Sequence, residues 1–335
     1  MSCTRMTLGR PGADQKSGKP RILAGPRERS SPRMKLSNLL HTSLGALTRP
    51  LQRRLAGLVY PPGTQPEDFL QPPGEPALLA ADTVSWRIFR NPVALLVGGV
   101  AAVLLELAEP RVRSGVWEHT AFREFPLARL QRTGYAAMMT AFGARSRTEA
   151  MVRRINAGHA RIAGHTPAGV AYRADDDELL TWVHATATFG FLQAYVACVR
   201  PIAAAERDVY YAENQPSARL YGVQAPPASE REFEALCDHM RPQLEPSDIV
   251  LEFLAIMGHV PLLPAIARPL QRLLVRAAVQ CLPPWTRQQL GLDGERWAVP
   301  AWQWRVLRAM GRAADHLDHP TLPAMLVRRR LAAQA

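Results

Sequence analysis

The chain has 335 residues with 47% hydrophobic content, enough to bury a sizeable core in one large domain or two modest ones. Its net charge of +12 suggests a nucleic-acid binder until the charge is located: residues 1–34 hold Arg5, Arg10, Lys16, Lys19, Arg21, Arg27, Arg29 and Arg33 against only Asp14 and Glu28, half of the excess. Four scattered cysteines, Cys3, Cys198, Cys237 and Cys281, form no Cys-x-x-Cys pair, which excludes a zinc ribbon or a disulfide scaffold.

In chain order, residues 1–35 are rich in Gly, Pro and Ser and lack apolar periodicity, so they read as a disordered basic leader. The leader has no apolar stretch of the kind a secretory signal needs, and it is either a functional basic tail or the product of a mis-assigned start before Met34. Residues 36–76 comprise a basic amphipathic helix, Leu36 to Leu58, and a Pro-rich connector, Tyr60 to Pro76. Residues 77–335 form the body. Helical periodicity there covers Ala80–Phe89, Val93–Leu107, Arg111–Glu118, Leu127–Phe142, Arg147–Ile162, Asp176–Val199, Ala203–Arg219, Ser229–Met240, Asp248–Met257, Leu262–Leu282 and Trp302–Leu317. Strand-like alternation is nearly absent, and the fold class is all-α, a single globin-like multi-helix domain.

Several boundaries carry their own mechanism. Asp175, Asp176 and Asp177 place carboxylates at the positive end of the helix that follows, and Ser229 with Glu232 makes a capping box. Pro201, Pro283 and Pro284 stop or start helices. The apolar run Val93 to Leu105 is too short for the ~20 residues of a membrane span and reads as a buried core helix. These features describe a cytoplasmic protein and leave peripheral membrane contact open. A membrane-surface protein acting through the leader and Leu36–Leu58 is a separate reading.

The chemistry-bearing residues lie mid-chain. Arg129 and Thr133 are four apart on one helix with Arg132 beside them, which makes either a solvated basic face or the rim of a polar pocket. Val152, Ile155, His159 and Ile162 follow 3, 4, 3 spacing, so His159 points inward if that stripe does. His184 repeats the pattern with Leu180, Ala187 and Phe191. A lone inward imidazole is either a hydrogen-bonded core residue or a ligand, and two on neighbouring apolar helices could hold a flat macrocycle. His119, next to Glu118, is a third candidate, with a helix-end polar role as its alternative. His316 and His319 have metal-ligand spacing but read as helix-end residues. The chain has no Glu-x-x-His pair for a di-iron bundle, no Gly-x-Ser-x-Gly elbow, no Walker loop, no His-Glu-x-x-His and no dinucleotide fingerprint. The body's arginines are mixed with acids, and nucleic-acid binding is unsupported.

The blocks VSWRIFRNP, LLELAEPRVRSGVWEHTAFREFPLARLQRT, RRINAGHARIAG, DDELLTWVHATATFGFLQAY, AERDVYYAENQPSARLYGV and LPPWTRQQLGL, in this order from about Thr83 to Leu290, resemble the haem-binding oxygenases related to latex-clearing protein, the rubber oxygenase, and to MpaB. The resemblance implies haem b, an Arg-x-x-x-Thr helix on its distal side, here Arg129 and Thr133, and a proximal iron ligand in a His-x-x-x-x-Gly-like segment, here His159 to Gly164. His184 in TWVH matches a further family feature and is the reserve ligand. The implied activity is that of a haem b-dependent oxygenase or peroxygenase, with O₂ and an apolar, isoprenoid- or lipid-like small molecule or polymer as substrates. The alternative is a non-catalytic helical protein that binds haem or lipid. Two positions depart from the family pattern. Rubber-cleaving members carry Lys where this chain has Arg132, a permanent cation that argues against a distal side-chain ligand and against rubber cleavage. Family members commonly carry His before the Pro where this chain has Glu109.

Overall fold

The computed structural model of the chain describes residues 60–316 and 322–333. The leader and the helix read over Leu36–Leu58 lie outside them. Among the described residues are thirteen α-helices and one two-stranded antiparallel hairpin, so the protein is all-α.

Two helices organise the core. Helix α1 (Val84–Phe89) is followed by α2 (Pro92–Ala108), which is apolar nearly all round and therefore suited to burial on several sides. Asn91 starts α2: its Oδ1 accepts from the Val93 and Ala94 N–H groups, each at 3.1 Å, and Pro92 occupies a first-turn position where no donor is lost. The second organiser is α6 (Asp177–Cys198), capped by the Asp176 side chain accepting from Leu179 N–H at 3.2 Å. The two helices run antiparallel and touch backbone to backbone at Gly98 and Gly190. A Cβ on Gly98 would lie 2.7 Å from Phe191 Cα, and one on Gly190 would lie 2.6 Å from the Gly98 carbonyl oxygen. Further along the pair, Trp182 is buried and its Nε1–H donates to Leu105 O at 3.1 Å.

The remaining helices close around this pair. Helix α3 (Pro110–His119) is N-capped by Glu109, whose Oε2 accepts from Val112 N–H at 2.7 Å. Helix α4 (Pro126–Phe142) and α5 (Arg145–His159) follow, then the hairpin β1 (Ala163–His165) and β2 (Ala171–Arg173), with Gly164 paired to Tyr172. Helix α7 (Ala204–Leu220) grips the start of α1: Glu213 accepts from the Val84 and Ser85 N–H groups at 3.1 and 2.8 Å. Then come α8 (Glu230–Met240), α9 (Asp248–His259), α10 (Arg268–Cys281), α11 (Pro284–Gln289), α12 (Ala301–Ala314) and α13 (Pro323–Ala332). Tyr60 and Phe69 of the connector, which forms a 3-10 turn over Pro66–Leu70, enter the core edge-on to each other and to Tyr135 of α4.

Three local expectations are corrected. Helix α5 ends at His159, three residues before Ile162, because the chain turns into the hairpin there. The segment Leu262–Leu282 is broken by Pro264 and a 3-10 turn at Ala265–Ala267, so α10 begins only at Arg268. The short helices α11 and α13 carried no sequence signal strong enough to be read. The Ser229 cap is present, with Oγ accepting from Glu232 N–H at 3.2 Å, but Glu232 reaches back to Ala228 N–H rather than to Ser229. Nothing in this arrangement establishes globin-like packing. Among the described residues no single helix is long and apolar enough to cross a membrane. The α2–α3 pair has the length but bends by 109° at Glu109.

Candidate functional site

Beside the Gly98–Gly190 crossing, the two central helices present stripes that the core leaves partly uncovered. On α2 the stripe is Leu96, Gly99, Val103 and Glu106; on α6 it is Leu180, His184, Ala187 and Phe191. Phe191 lies against Gly98 and Gly99 and joins the two. Helix spacing of 3 and 4 made the α6 stripe readable in advance, and it is half-buried rather than sealed.

Glu106 is the one charged residue in α2. Burial pushes its carboxyl pKa up to about 7, and the positive charge of Arg129 on α4 partly offsets the rise. Arg129 is itself desolvated, which lowers its pKa, an effect opposed by Glu106 and reinforced by Arg132. Its Nη1 donates to the Thr133 hydroxyl one turn on. The geometry thus holds Arg129 inward, while Arg132 and Thr133 are exposed.

His159 lies at the last residue of α5, half-buried behind the inward Val152 and Ile155. Desolvation lowers its pKa, Arg129 lowers it further and Asp175 opposes both. Its Nδ1 is sealed from solvent and has no hydrogen-bond partner; nor has the buried Oδ1 of Asn156, one turn earlier on the same helix. Unpaired buried polar atoms are rare because each costs its full desolvation, so two on one helix face call for an explanation. Asn156 Nδ2 donates to Leu220 O at 2.8 Å and ties α5 to the end of α7.

His184 is surrounded by protein, which drives its pKa down to about 4 and keeps the ring neutral. Its Nδ1 lies 3.5 Å from the Thr188 hydroxyl and its Nε2 lies 3.4 Å from that of Ser217. Both hydroxyls make shorter bonds elsewhere, Thr188 to His184 O at 2.9 Å and Ser217 to Asn214 O at 2.8 Å. Each therefore spends its only proton on a carbonyl. A neutral imidazole has one N–H, so one of its ring nitrogens keeps a lone pair that no protein donor reaches.

The other candidates fall outside this group. His119 is exposed on α3, with Nε2 3.1 Å from Tyr172 OH, which donates to Glu118 at 3.1 Å. It fastens α3 to the hairpin. The same tyrosine explains the glycine of the His159–Gly164 segment, because a Cβ there would lie 2.7 Å from Tyr172 OH. His316 is exposed at the end of α12. Glu109, where family members commonly have His, is buried; it caps α3 and accepts from Arg111 Nε at 2.6 Å, while Arg111 also reaches Glu178 at 2.7 Å. It has a structural task. Glu106 was missed in the sequence, although a lone carboxylate in an otherwise apolar helix was a usable signal.

The fold and site define an all-α protein whose central helices carry a desolvated carboxyl and one imidazole beside an apolar stripe, with a guanidinium on α4 and a second imidazole at the end of α5. The chain belongs to the family described as ER-bound oxygenase mpaB/B'/rubber oxygenase, catalytic domain, which matches residues 86–315. No curated protein and no solved structure matches it.

Proposed function

We propose that the protein is a haem b-dependent oxygenase or peroxygenase acting on an apolar, isoprenoid- or lipid-like substrate. The observation that carries the reading is the buried, unpaired Nδ1 of His159, near the charge of Arg129, in a chain of an oxygenase family. Haem asks for an axial donor and apolar surroundings, and the unpaired Nδ1 of His159 and the half-buried apolar stripe of α2 and α6 are residues of that kind. Among the described residues no three His, Cys, Asp or Glu side chains gather to hold a metal ion, whereas a haem needs only one.

His159 is the preferred ligand because its buried Nδ1 has no hydrogen-bond partner, and desolvation favours the neutral, donating form of the ring. His184 is the reserve. Haem supplies the activation of O₂ or a peroxide by which oxygen enters a hydrocarbon. Arg129 offers fixed positive charge in a low-dielectric setting, where it is worth most to negative charge developing on oxygen. Thr133 holds that guanidinium in place. Glu106, poised near neutrality, gives or takes a proton at its carboxyl oxygens. Val103, Leu180, Ala187 and Phe191 exclude water and take the apolar part of a substrate.

A visible absorption spectrum of the purified chain tests the proposal. A Soret band that is lost in His159→Ala and kept in His184→Ala supports it; the reverse moves the ligand to His184. Absence of the band after haem reconstitution sinks the haem reading. Oxygen uptake with a polyene then separates an oxygenase from a non-catalytic haem carrier, which shows the band and consumes no oxygen.

A further inference from the structure

Between α9 and α10 the chain runs through residues 260–267, VPLLPAIA, without one polar side chain. Ile266, on the 3-10 turn Ala265–Ala267, is 93% exposed, more than any other large hydrophobic side chain among the described residues. Pro261, Pro264 and Ala265 are exposed with it, while Leu262 and Leu263 are half-buried and root the loop in the core. The loop is built rather than loose. Gln271 of α10 is buried and uses its whole amide to hold it: Nε2 donates to Met257 O and Val260 O, each at 2.7 Å, and Oε1 accepts from Leu263 N–H at 3.3 Å. Single exposed apolar residues are ordinary. A continuous run held outward by a buried amide is not, and among the described residues nothing covers its tip.

The charge beside the loop has one sign. Between Glu252 and Asp293 the sequence holds no Asp or Glu and four arginines, Arg268, Arg272, Arg276 and Arg287. Arg268 and Arg272 follow the loop directly and are exposed. Arg268 is the first residue of α10, the positive end of the helix dipole, where a cation destabilises the helix rather than supporting it. Among the described residues neither guanidinium has a carboxylate partner, and Arg272 Nη2 donates only to His259 Nε2 at 3.1 Å. An apolar tip backed by unpaired arginines is complementary to an anionic bilayer, where hydrocarbon lies beneath a layer of negative headgroups. Ile266 stands clear of its neighbours, which suits a deformable surface; a protein partner would need a preformed pocket for it.

We infer that residues 260–267, with Arg268 and Arg272, form a docking surface for an anionic lipid bilayer. Pro264 and Ile266 enter the acyl boundary, and the two guanidiniums meet lipid phosphates above it. The inference is independent of the oxygenase reading, since none of these residues is Glu106, Arg129, His159 or His184. It is also distinct from a membrane contact through the basic leader, and the test separates the two.

The test uses the full chain and vesicles of equal parts phosphatidylcholine and phosphatidylserine, with pure phosphatidylcholine as control. Co-sedimentation should be salt-sensitive and weaken at least about tenfold in Ile266→Asp and about fivefold for each of Arg268→Gln and Arg272→Gln. These side chains are exposed, and unchanged circular dichroism and melting temperature guard against unfolding as the cause. Insertion is read separately from Ile266→Cys in a Cys3→Ser background, labelled with a polarity-sensitive fluorophore, the remaining Cys198, Cys237 and Cys281 being buried. Its emission should shift to the blue when the anionic vesicles are added. An unshifted label on a chain that still sediments overturns the inference and assigns the binding elsewhere, the basic leader first. Absence of sedimentation overturns it too. So does a concentration-dependent dimer, formed without vesicles and lost in Ile266→Asp, which would make a second copy of the chain the occupant.

Discussion

Arg129 on α4 restrains the carboxyl of Glu106 on α2, which burial would otherwise lift further above its present pKa of about 7. A guanidinium and a near-neutral carboxyl sharing a protein interior make a proton-handling pair, because a change in either charge shifts the other's protonation.

Replacing Glu106 exposes this balance. Its folded pKa is raised above its ordinary value of 4.5, so the native state keeps a proton that the unfolded chain loses, and Glu106 costs stability as pH climbs from about 4.5 through 7. Glu106→Gln removes that cost. Melting temperatures recorded across pH 4–8 should show the variant gaining on the parent as pH rises, and the activity profile should lose its limb near pH 7. Parallel melting curves would refute the assignment.

His184 acts in the opposite direction. Its folded pKa is depressed from 6.5 to about 4, so below pH 6.5 the unfolded chain takes up a proton that the native state refuses. Stability is full above pH 6.5 and falls towards pH 4, by an amount of order 3 kcal/mol. Denaturant titrations of His184→Gln at pH 4.5 and 7.5 should show a much smaller difference between the two conditions than the parent does.

Arg129 depresses the His159 pKa as well as that of Glu106. Arg129→Met therefore raises both. A ligating imidazole must be unprotonated, so the acid limit of haem retention, followed by Soret absorbance during a downward pH titration, should move to higher pH in the variant. An unmoved midpoint would mean that Arg129 does not act on the ligand.

The glycine crossing sets how closely α2 and α6 approach. Gly190→Val drives methyl groups into the Gly98 carbonyl and Ala102 and should cost about 1–3 kcal/mol or more, measured as a lowered urea midpoint. Gly134→Ala on α4, where nothing lies within 4 Å, should cost nothing and serves as the control.

Much of the architecture was legible because its causes are local. Asn91–Pro92 and Asp176 announce the starts of α2 and α6, the proline after each helix announces its stop, and the stripe Leu180, His184, Ala187, Phe191 announces a face. The break at Pro264 was underweighted, and the hairpin after His159 was hidden by strands of only three residues. Of the candidate side chains, Arg129 and His159 act on each other electrostatically, His184 sits on the α6 stripe, and His119 lies apart at the hairpin. Spacing told which helix face each occupies but not what stands opposite. The exposed His119 is held by a tyrosine more than fifty residues away in sequence.

The amino-acid order by itself determined the helical class, most helix ends and the oxygenase family, since capping, proline geometry and periodicity act within a turn or two of chain. The tertiary structure alone decided that Glu106 titrates near neutrality, that His184 stays neutral and that Ile266 is left in solvent. Desolvation and Coulomb energy depend on which atoms surround a group, and here those atoms come from helices far apart along the chain.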